Sequence, residues 1–246
     1  MRLQGKVSII TGSGRGIGRA TALKFAVEGA HTIVCDLDGG AVDAVVEEIR
    51  GKGGEASGFV VDVTRRSSID DMVAAVRATY GRIDTLVNNA GIVQDARMVN
   101  MTDEQFDSVI AVNLKGTYNC AKAVIDAMLA QQSGVILNAS SVVGIYGNFG
   151  QTNYAASKFG VIGMAKTWAR EFGRHGVRCN AICPGMVETD IIKGIPDKVL
   201  QAIIDRVPMG RLGKPEEIAN TYAFLASDEA SYINGAVIEV GGGGTI

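Results

Sequence analysis

The chain has 246 residues, with 24 basic and 26 acidic side chains and a formal net charge of −2 at pH 7. The length fits one large domain, and the near balance of charge argues against a protein built to bind nucleic acid or an anionic membrane surface. No apolar run reaches the ~20 residues of a membrane-spanning helix, and the N-terminus carries no recognisable signal peptide. We therefore expect a soluble, cytoplasmic protein with no membrane or nucleic-acid partner.

Four cysteines, Cys35, Cys120, Cys179 and Cys183, are scattered through segments that we predict to be core elements. This distribution is typical of reduced thiols with a structural role. Cys179 and Cys183 with the nearby His175 would supply too few ligands for a metal ion. We expect no metal site.

Short β-rich runs alternate with longer helical patterns along the chain. Strands are predicted at residues 7–11, 32–36, 58–63, 84–88, 135–140 and 177–183, and helices from about residue 16, through 42–49, at 67–80, at 104–129 and around residue 154. Strands that are apolar on both faces and alternate with helices indicate a parallel sheet between two helix layers. Right-handed crossovers then give an α/β fold of the Rossmann type, one doubly wound sheet of about seven strands in a single domain spanning the chain.

A glycine-rich loop follows the first predicted strand. Gly12, Gly16 and Gly18 have the spacing G-x-x-x-G-x-G, and a helix pattern begins at the end of the loop. Glycines at this position let backbone N–H groups approach a pyrophosphate at the N-terminus of a helix. The alternative interpretation is a tight strand-to-helix turn with no ligand.

Asp36 ends the second predicted strand, eighteen residues after Gly18. A carboxylate there accepts hydrogen bonds from the adenosine ribose hydroxyls and repels a 2′-phosphate, so NAD(H) is the preferred cofactor. Alternatively, Asp36 or Asp38 caps the following helix, and Asp38 suits the cap better. The guanidinium of Arg15 could accept a 2′-phosphate, which keeps NADP(H) open.

Tyr154 and Lys158 are four residues apart in a helical pattern and so project from one face of a helix. A free phenol has a pKa of about 10, and a neighbouring cation lowers it. We interpret the pair as an acid/base unit that exchanges a proton with a carbonyl or an alcohol. The same spacing is also commonplace on helices that have no catalytic role.

Including the glycine loop and the Tyr154/Lys158 pair, the chain shows four motifs in order: Thr11 to Gly18, Asn88-Asn89-Ala90-Gly91, Ser141 thirteen residues before Tyr154-x-x-x-Lys158, and Pro184-Gly185 followed by Thr189. Over essentially the whole chain they resemble the short-chain dehydrogenase/reductase family. That resemblance implies an NAD(P)(H)-dependent oxidoreductase that interconverts a carbonyl and a secondary alcohol.

By that resemblance, Tyr154 is the acid/base, Lys158 lowers its pKa and binds the nicotinamide ribose, Ser141 orients the substrate oxygen, and Asn113 holds a water. Ser140 is the less favoured serine, and Asn113 could instead make only a local backbone bond within a helix. The cofactor-binding residues that the resemblance implies are Gly12, Gly14, Arg15, Gly16, Ile17, Gly18, Asp36, Leu37, Asp62, Val63, Asn89, Gly91, Tyr154, Lys158, Pro184, Gly185, Val187 and Thr189. Asp62 would contact adenine, although it could equally cap a helix, and Asn88 would stiffen the sheet.

Within the family, residues 141–144, 148–158 and 208–218 look most like 3-oxoacyl-acyl carrier protein reductases, which suggests a 3-oxoacyl thioester as substrate. Two features depart from that pattern. Residues 130–133 read Ala-Gln-Gln-Ser where such enzymes usually carry Lys or Arg, and Asp36 favours NAD(H) over NADPH. An NAD-dependent dehydrogenase of a small secondary alcohol, a polyol or a 3-hydroxyacyl-CoA therefore stays open, as does a catalytically silent NAD-binding protein.

Residues 188–212 are predicted to form a substrate lid made apolar by Ile191, Ile192, Ile195, Val199, Ile203 and Met209, with ordinary amphipathic packing as the alternative. Basic residues near the mouth of the site are Arg174, His175 and Lys193. The family resemblance implies a homotetramer with its long central helices and its carboxyl terminus at the interfaces.

Overall fold

A seven-stranded parallel sheet, ordered β3-β2-β1-β4-β5-β6-β7, forms the centre of the computed structural model, which describes residues 1–189 and 197–244. The strands are β1 Val7–Thr11, β2 His31–Asp36, β3 Glu55–Val60, β4 Thr85–Asn88, β5 Gly134–Ala139, β6 Val177–Pro184 and β7 Val237–Val240. The predicted doubly wound parallel sheet is confirmed. Because the strand order reverses between β1 and β4, a crevice opens at their carboxyl ends, where ligands of such sheets bind.

Helices cover both faces of the sheet. They are α1 Gly16–Val27, α2 Gly39–Gly51, α3 Arg66–Tyr80, α4 Asp103–Val109, α5 Gly116–Gln131, α6 Val143–Tyr146, α7 Thr152–Phe172, α8 Asp197–Ile204 and α9 Pro215–Ala226. Successive strand residues point to opposite faces, so Ile10 packs in the cluster with α1, α2 and α9, whereas Ile9 packs in the cluster with α3, α5 and α7. Two apolar layers thus clamp the sheet and fix the loops at its carboxyl edge.

The edge strand β3 begins three residues before its predicted position, at Glu55 rather than at residue 58. It pairs on one side only, with β2, and Ala56 is its only buried residue. The prediction followed the apolar run that ends with Val61 and Val63. Both of these side chains are buried, but they lie beyond the last paired residue, Val60.

The predicted uninterrupted helix at 104–129 is instead two α-helices joined by a π-helical turn, Ile110–Lys115. A π turn holds one residue more than an α turn and occurs frequently at functional sites. Asn113 lies inside it and is fully buried. The wider turn therefore marks the point where the polar Asn113 faces the interior.

The seventh strand, whose position the sequence patterns do not locate, is β7 at the other edge of the sheet. It pairs in parallel with β6, from Ala181↔Val237 to Pro184↔Val240. Its side chains are only partly buried, so it lacks the continuous apolar run that identifies the central strands.

All four cysteines are buried and unpaired. Burial raises the pKa of the Cys120 and Cys179 thiols to about 12. Across residues 1–189 and 197–244, no group of three or more His, Cys, Asp or Glu side chains is arranged to hold a metal ion. Over the same residues, none of the helices combines the length and apolar character needed to cross a bilayer.

Candidate active site

The glycine loop between β1 and α1 is shaped by contacts that leave no room for side chains. Gly12 has a φ of +63°, and a Cβ built on it would lie 2.7 Å from the Cα of Ala90. A Cβ on Gly18 would lie 2.1 Å from the carbonyl oxygen of Gly12. Both distances are below any real van der Waals contact, so only glycine allows β1, α1 and the loop after β4 to approach this closely.

The N-terminus of α1 opens toward this loop without a side-chain cap. Arg15 is its N-cap residue and makes no capping hydrogen bond, and the first turn of the helix has no acidic residue. The N–H groups of that turn and the positive end of the helix dipole are therefore available to an anion. This arrangement fits the pyrophosphate of a dinucleotide.

Asp36 and Asp38 have separate roles. Asp38 is the N-cap of α2 and accepts a hydrogen bond from the Ala41 N–H at 3.1 Å. Asp36 accepts from the Gly14 N–H at 3.0 Å and from the Asp38 N–H at 3.3 Å. The carboxylate of Asp36 therefore lies against the glycine loop, which is where a ribose-binding carboxylate is expected. Leu37 follows it with an exposed side chain.

Two neighbouring asparagines brace the centre of the sheet. Asn88 donates from Nδ2 to Oδ1 of Asn138 at 2.9 Å and so links β4 to β5, as predicted for a residue that stiffens the sheet. Asn89 donates from Nδ2 to the carbonyls of Thr11 and Gly12 at 3.1 and 3.0 Å. The Asn89 amide thus holds the glycine loop in shape, a contact that the motif alone did not predict.

Asp62 forms a local turn and does not cap α3. Its Oδ1 accepts from the Thr64 N–H at 2.9 Å and from the Thr64 hydroxyl at 2.6 Å. The N-cap residue of α3 is Arg65, which makes no side-chain capping bond. The capping alternative for Asp62 is therefore wrong. Val63 beside it is buried under Gly116.

Tyr154 and Lys158 lie on one face of α7, with the Lys158 Nζ 5.5 Å from the centroid of the Tyr154 ring. Nζ also donates to the carbonyl oxygen of Ala139 at 2.7 Å, at the end of β5. Burial lowers the pKa of Lys158 to about 8. Burial also raises the pKa of Tyr154 to about 12, and the Ser141 hydroxyl opposes this shift. Lys158 is expected to lower the pKa of Tyr154, but in the chain by itself the pKa of Tyr154 is raised. Desolvation is the largest influence on the pKa of both groups.

The two serines after β5 are distinguished by their contacts. Ser140 donates from Oγ to the Lys158 carbonyl at 2.8 Å, so its hydroxyl joins β5 to the backbone of α7. The Ser141 Oγ accepts from the Val143 N–H at 3.1 Å and lies on the side of Tyr154. Ser141 is therefore the serine that can reach a substrate next to the phenol.

Asn113 connects the π-helical turn to the loop after β4. Its Oδ1 accepts from the Ile92 N–H at 2.8 Å, and its Nδ2 donates to the Ile92 carbonyl at 3.0 Å and the Ser157 Oγ at 3.3 Å. These contacts are long-range, so the alternative of a merely local side-chain bond is wrong. A Cβ built on Gly91 would lie 3.3 Å from Asn113 Oδ1 and 3.5 Å from Lys158 Nζ. The structure thus brings these three predicted residues together.

The segment after β6 approaches the glycine loop from the other side. Gly185 donates its N–H to the Val240 carbonyl at 3.1 Å and packs against Gly241. Thr189 lies beside Gly16, since a Cβ on that glycine would be 3.5 Å from its Cγ2. In the predicted lid, Val199 and Met209 are exposed. Ile191, Ile192, Lys193 and Ile195 lie outside the described residues.

Three residues near Tyr154 were missed by the sequence analysis. Gln151 donates from Nε2 to both carboxylate oxygens of Asp95, at 3.0 and 3.1 Å. Asn153, fully buried, donates from Nδ2 to the carbonyls of Gln94 and Gln105 at 2.9 Å each. The signal that was present is a pair of amide side chains, Gln151 and Asn153, at the start of the helix that carries Tyr154.

Known proteins resemble this chain over nearly its full length. Residues 12–245 match the family model described as Enoyl-(Acyl carrier protein) reductase. The chain is 52% identical over 243 residues to the 3-oxoacyl-[acyl-carrier-protein] reductase FabG of Thermotoga maritima, with 99% of each chain covered. It is 43% identical over 251 residues to (3R)-3-hydroxyacyl-CoA dehydrogenase of Homo sapiens, with 98% of this chain and 96% of that one covered.

Among solved structures, the crystal structure of gox2181 superposes with a TM-score of 0.96 at 38% identity, covering 98% of this chain and 96% of the other. Fold, sequence and family model therefore agree over nearly the full length. The chain belongs to the short-chain dehydrogenase/reductase family and is an NAD(P)-dependent oxidoreductase.

Proposed function

We propose that the chain interconverts a 3-oxoacyl thioester and the corresponding 3-hydroxyacyl thioester, with NAD(H) as the preferred cofactor. The observation that carries this proposal is the cluster of Tyr154, Lys158, Ser141 and Asn113 at the carboxyl edge of the sheet, next to the glycine loop. The names of the relatives from Thermotoga maritima and Homo sapiens share chemistry at carbon 3 of an acyl thioester and differ in the carrier.

Separate groups of residues would bind the cofactor and transfer the proton. The uncapped N-terminus of α1 and the carboxylate of Asp36 would hold the pyrophosphate and the adenosine ribose. When bound, the nicotinamide supplies or accepts the hydride. Ser141 would donate a hydrogen bond to the substrate oxygen, and Tyr154 would give that oxygen a proton in reduction and take one from it in oxidation.

The protonation states suit carbonyl reduction. A phenol with a pKa of about 12 is protonated at neutral pH and can act as an acid. Lys158, with a pKa of about 8, is mostly charged at neutral pH, and the Ala139 carbonyl holds it beside the ring. Its charge stabilises the negative charge that develops on the Tyr154 oxygen when the proton leaves.

The experiment is a comparison of kcat/KM for acetoacetyl thioesters of CoA and of an acyl carrier protein with kcat/KM for a panel of secondary alcohols and polyols. We expect a thioester to be the best substrate, and preference for a polyol or simple alcohol would contradict the proposal. Tyr154→Phe should lower kcat by about a thousandfold, within the range of general acid/base catalysis, and leave cofactor binding within a few-fold. Tyr232→Phe, at a fully exposed tyrosine, is the matched control.

The cofactor preference rests on Asp36, whose carboxylate lies against Gly14 and would repel a 2′-phosphate. Asp36→Ala should raise the ratio of kcat/KM for NADPH over NADH by about tenfold, which corresponds to ~1.4 kcal/mol. Arg15→Ala should lower the same ratio, because it removes the cation that could pair with a 2′-phosphate. A ratio that stays at the parental value in Asp36→Ala contradicts the assignment.

We also propose that the chain assembles as a homotetramer through α5 and α7. Tyr118 on α5 and Phe159 on α7 are 41% and 65% exposed, and Phe106 on the adjoining α4 is 37% exposed. Large apolar side chains exposed on these helices are the kind that protein–protein contacts bury. Phe159→Glu should reduce the mass measured by light scattering, and a parental chain that is already monomeric contradicts the proposal.

A further inference from the structure

The loop after β4 is tied to the start of α7 by two side-chain contacts and one isolated backbone bridge. Asn153 donates to the carbonyl of Gln94 at 2.9 Å, and Gln151 donates to both oxygens of Asp95 at 3.0 and 3.1 Å. An isolated parallel bridge pairs Ala96 with Gln151. The position of the first turn of α7 is therefore set by this loop, within three residues of Tyr154.

Gln151 is an unusual residue for its position. It is the N-cap of α7, where Ser, Thr, Asp or Asn normally satisfies a free N–H, yet its side chain makes no capping bond. Instead its Nε2 reaches Asp95 and its Oε1 accepts from the Asn148 Nδ2 at 2.8 Å. The residue is 9% exposed. The nitrogen of the amide thus ties the helix start to the loop after β4, and its oxygen is held by Asn148 in the segment that leads into α7.

Asp95 places a negative charge near the N-terminus of α7. The first turn of α7 contains no acidic residue, and Tyr154 belongs to that turn. The positive end of the helix dipole favours a phenolate there, and a nearby carboxylate opposes it.

The other titratable groups that face Tyr154 are Lys158 on α7 itself, Cys183 on β6 and Tyr222 on α9. Asp95 is the carboxylate of this set, and its negative charge favours the protonated phenol. The side chain of Asp95 is exposed, so solvent screening makes its effect modest.

We propose that Asp95, held through Gln151 at the start of α7, is a positioning residue for the acid/base step at Tyr154. The inference rests on the proposed role of Tyr154. The carboxylate anchors the helix start and keeps the phenol protonated, which favours carbonyl reduction. Removing the charge while keeping a hydrogen-bond acceptor shifts the balance toward the phenolate.

The first test is the pH dependence of alcohol oxidation in Asp95→Asn. Oxidation needs the phenolate, so below the pKa of Tyr154 its rate is proportional to the phenolate fraction. Loss of the charge should move the rising limb to lower pH by about half a unit, which is about a threefold faster oxidation at a fixed pH on that limb. Asp95→Glu keeps the charge and should restore the parental limb.

Asp71→Asn, the same chemical change at an exposed residue of α3, is the matched control and should leave the profile unmoved. A profile of Asp95→Asn that coincides with the parental one overturns the proposal. So does an equal shift in Asp71→Asn, because the effect would then be one of net charge.

The second test breaks the link and keeps the charge. Gln151→Met should lower kcat several-fold with KM little changed, because it frees the start of α7. In that background Asp95→Asn should move the limb by less than half of its original shift, and a full shift would show that Gln151 does not hold Asp95 in place. If Gln151→Met does not fold, the Asp95→Asn and Asp95→Glu pair still decides the effect of the charge.

The failure of this proposal is separable from the failure of the proposed function. If thioesters are not turned over but another carbonyl or alcohol is, the substrate assignment is wrong and the pH profile is measured with that substrate. If nothing is turned over, hydrogen exchange of residues 150–156 tests the positioning directly. Exchange should be faster in Asp95→Ala than in the parent, and equal rates would overturn the positioning role.

Discussion

The cofactor end and the catalytic end of the crevice are built in opposite ways. Around the loop between β1 and α1, the geometry is fixed by the absence of side chains, because Gly12 and Gly18 allow backbone segments to pack directly against each other. Around the start of α7, the geometry is fixed by buried polar side chains. Asn113, Asn153 and Gln151 all make hydrogen bonds to the loop after β4.

The difference teaches which kind of site tolerates change. A glycine contact fails for any added atom, because the neighbour is backbone and cannot move aside. A buried amide network fails gradually, since each lost bond costs about 1–3 kcal/mol and the remaining ones still hold. Substitutions at the two ends should therefore give sharply different responses to the smallest possible change.

The largest effect is expected for Gly18→Ala. Its Cβ would lie 2.1 Å from the Gly12 carbonyl and 2.5 Å from the Asn89 Nδ2, so β1 and α1 must separate. We expect NADH affinity to fall more than tenfold, measured by fluorescence titration, and the free energy of unfolding to fall by about 2 kcal/mol.

Gly163→Ala is the matched control, because a Cβ at this position of α7 meets nothing within 4 Å. It should raise the free energy of unfolding by about 0.5–1 kcal/mol through helix propensity. If Gly18→Ala and Gly163→Ala change the free energy of unfolding by the same amount, the close backbone contact at Gly18 does not fix the geometry of the cofactor end.

A stability change of similar size and opposite sign is expected for Lys158→Met, which sharpens the comparison by removing the buried charge from the catalytic end. Burial lowers the pKa of Lys158 from 10.5 to about 8. At Lys158 the folded chain therefore binds fewer protons than the unfolded chain between pH 8 and 10.5, so the cost of this residue to parental stability falls as pH rises across that window. Below pH 8 the buried cation carries its full cost.

At pH 7 Lys158→Met should unfold with a free energy about 2 kcal/mol higher than the parent, after allowance for the lost bond to Ala139. The gap should close by pH 10.5, as measured by urea denaturation at several pH values. Turnover should be lost. A stability difference between variant and parent that does not shrink between pH 8 and 10.5 contradicts the assignment of a cost to this charge.

The smallest effect is expected within the sheet. Ser8, Thr32 and Thr85 are register partners on adjacent strands, and within the described part of the chain their buried hydroxyls have no hydrogen-bond partner. Thr85→Val should raise the free energy of unfolding by about 1 kcal/mol, because it replaces an unsatisfied hydroxyl with a methyl group of similar shape.

Thr11→Val, the same substitution near the crevice, should do the reverse. Its Oγ1 accepts from the N–H groups of Asn89 and Ala90 at 3.0 and 3.1 Å. Removing that acceptor should lower the free energy of unfolding by about 1–2 kcal/mol. Thermal unfolding of the two variants side by side is the measurement, and equal signs would show that the hydroxyls are not used differently.

Much of the fold could be predicted because its central elements have strong periodicity. The four apolar positions assigned to α2, Val42, Val45, Val46 and Ile49, are all buried. The edge strands were harder, since β3 and β7 are half exposed and lack a continuous apolar run. The π-helical turn around Asn113 could not be predicted, because the Asn113 side chain inside it bonds to Ile92, which is distant in the sequence.

The candidate site follows the same division. Gly12, Gly18 and Asp36 could be picked out from the sequence, because they form a local pattern of spaced glycines and an acid at the end of the next strand. Gln151 and Asp95 are 56 residues apart and belong to no spacing rule, so their contact appears only when the loop after β4 folds against α7.

The buried cysteines have a practical consequence. Their thiols are shielded and held in the unreactive protonated form, with burial raising the pKa of Cys35, Cys120, Cys179 and Cys183 alike. A maleimide would therefore leave the closed molecule unlabelled and mark only those copies whose layers have come apart. The extent of maleimide labelling over time therefore measures how often the interior of the chain opens.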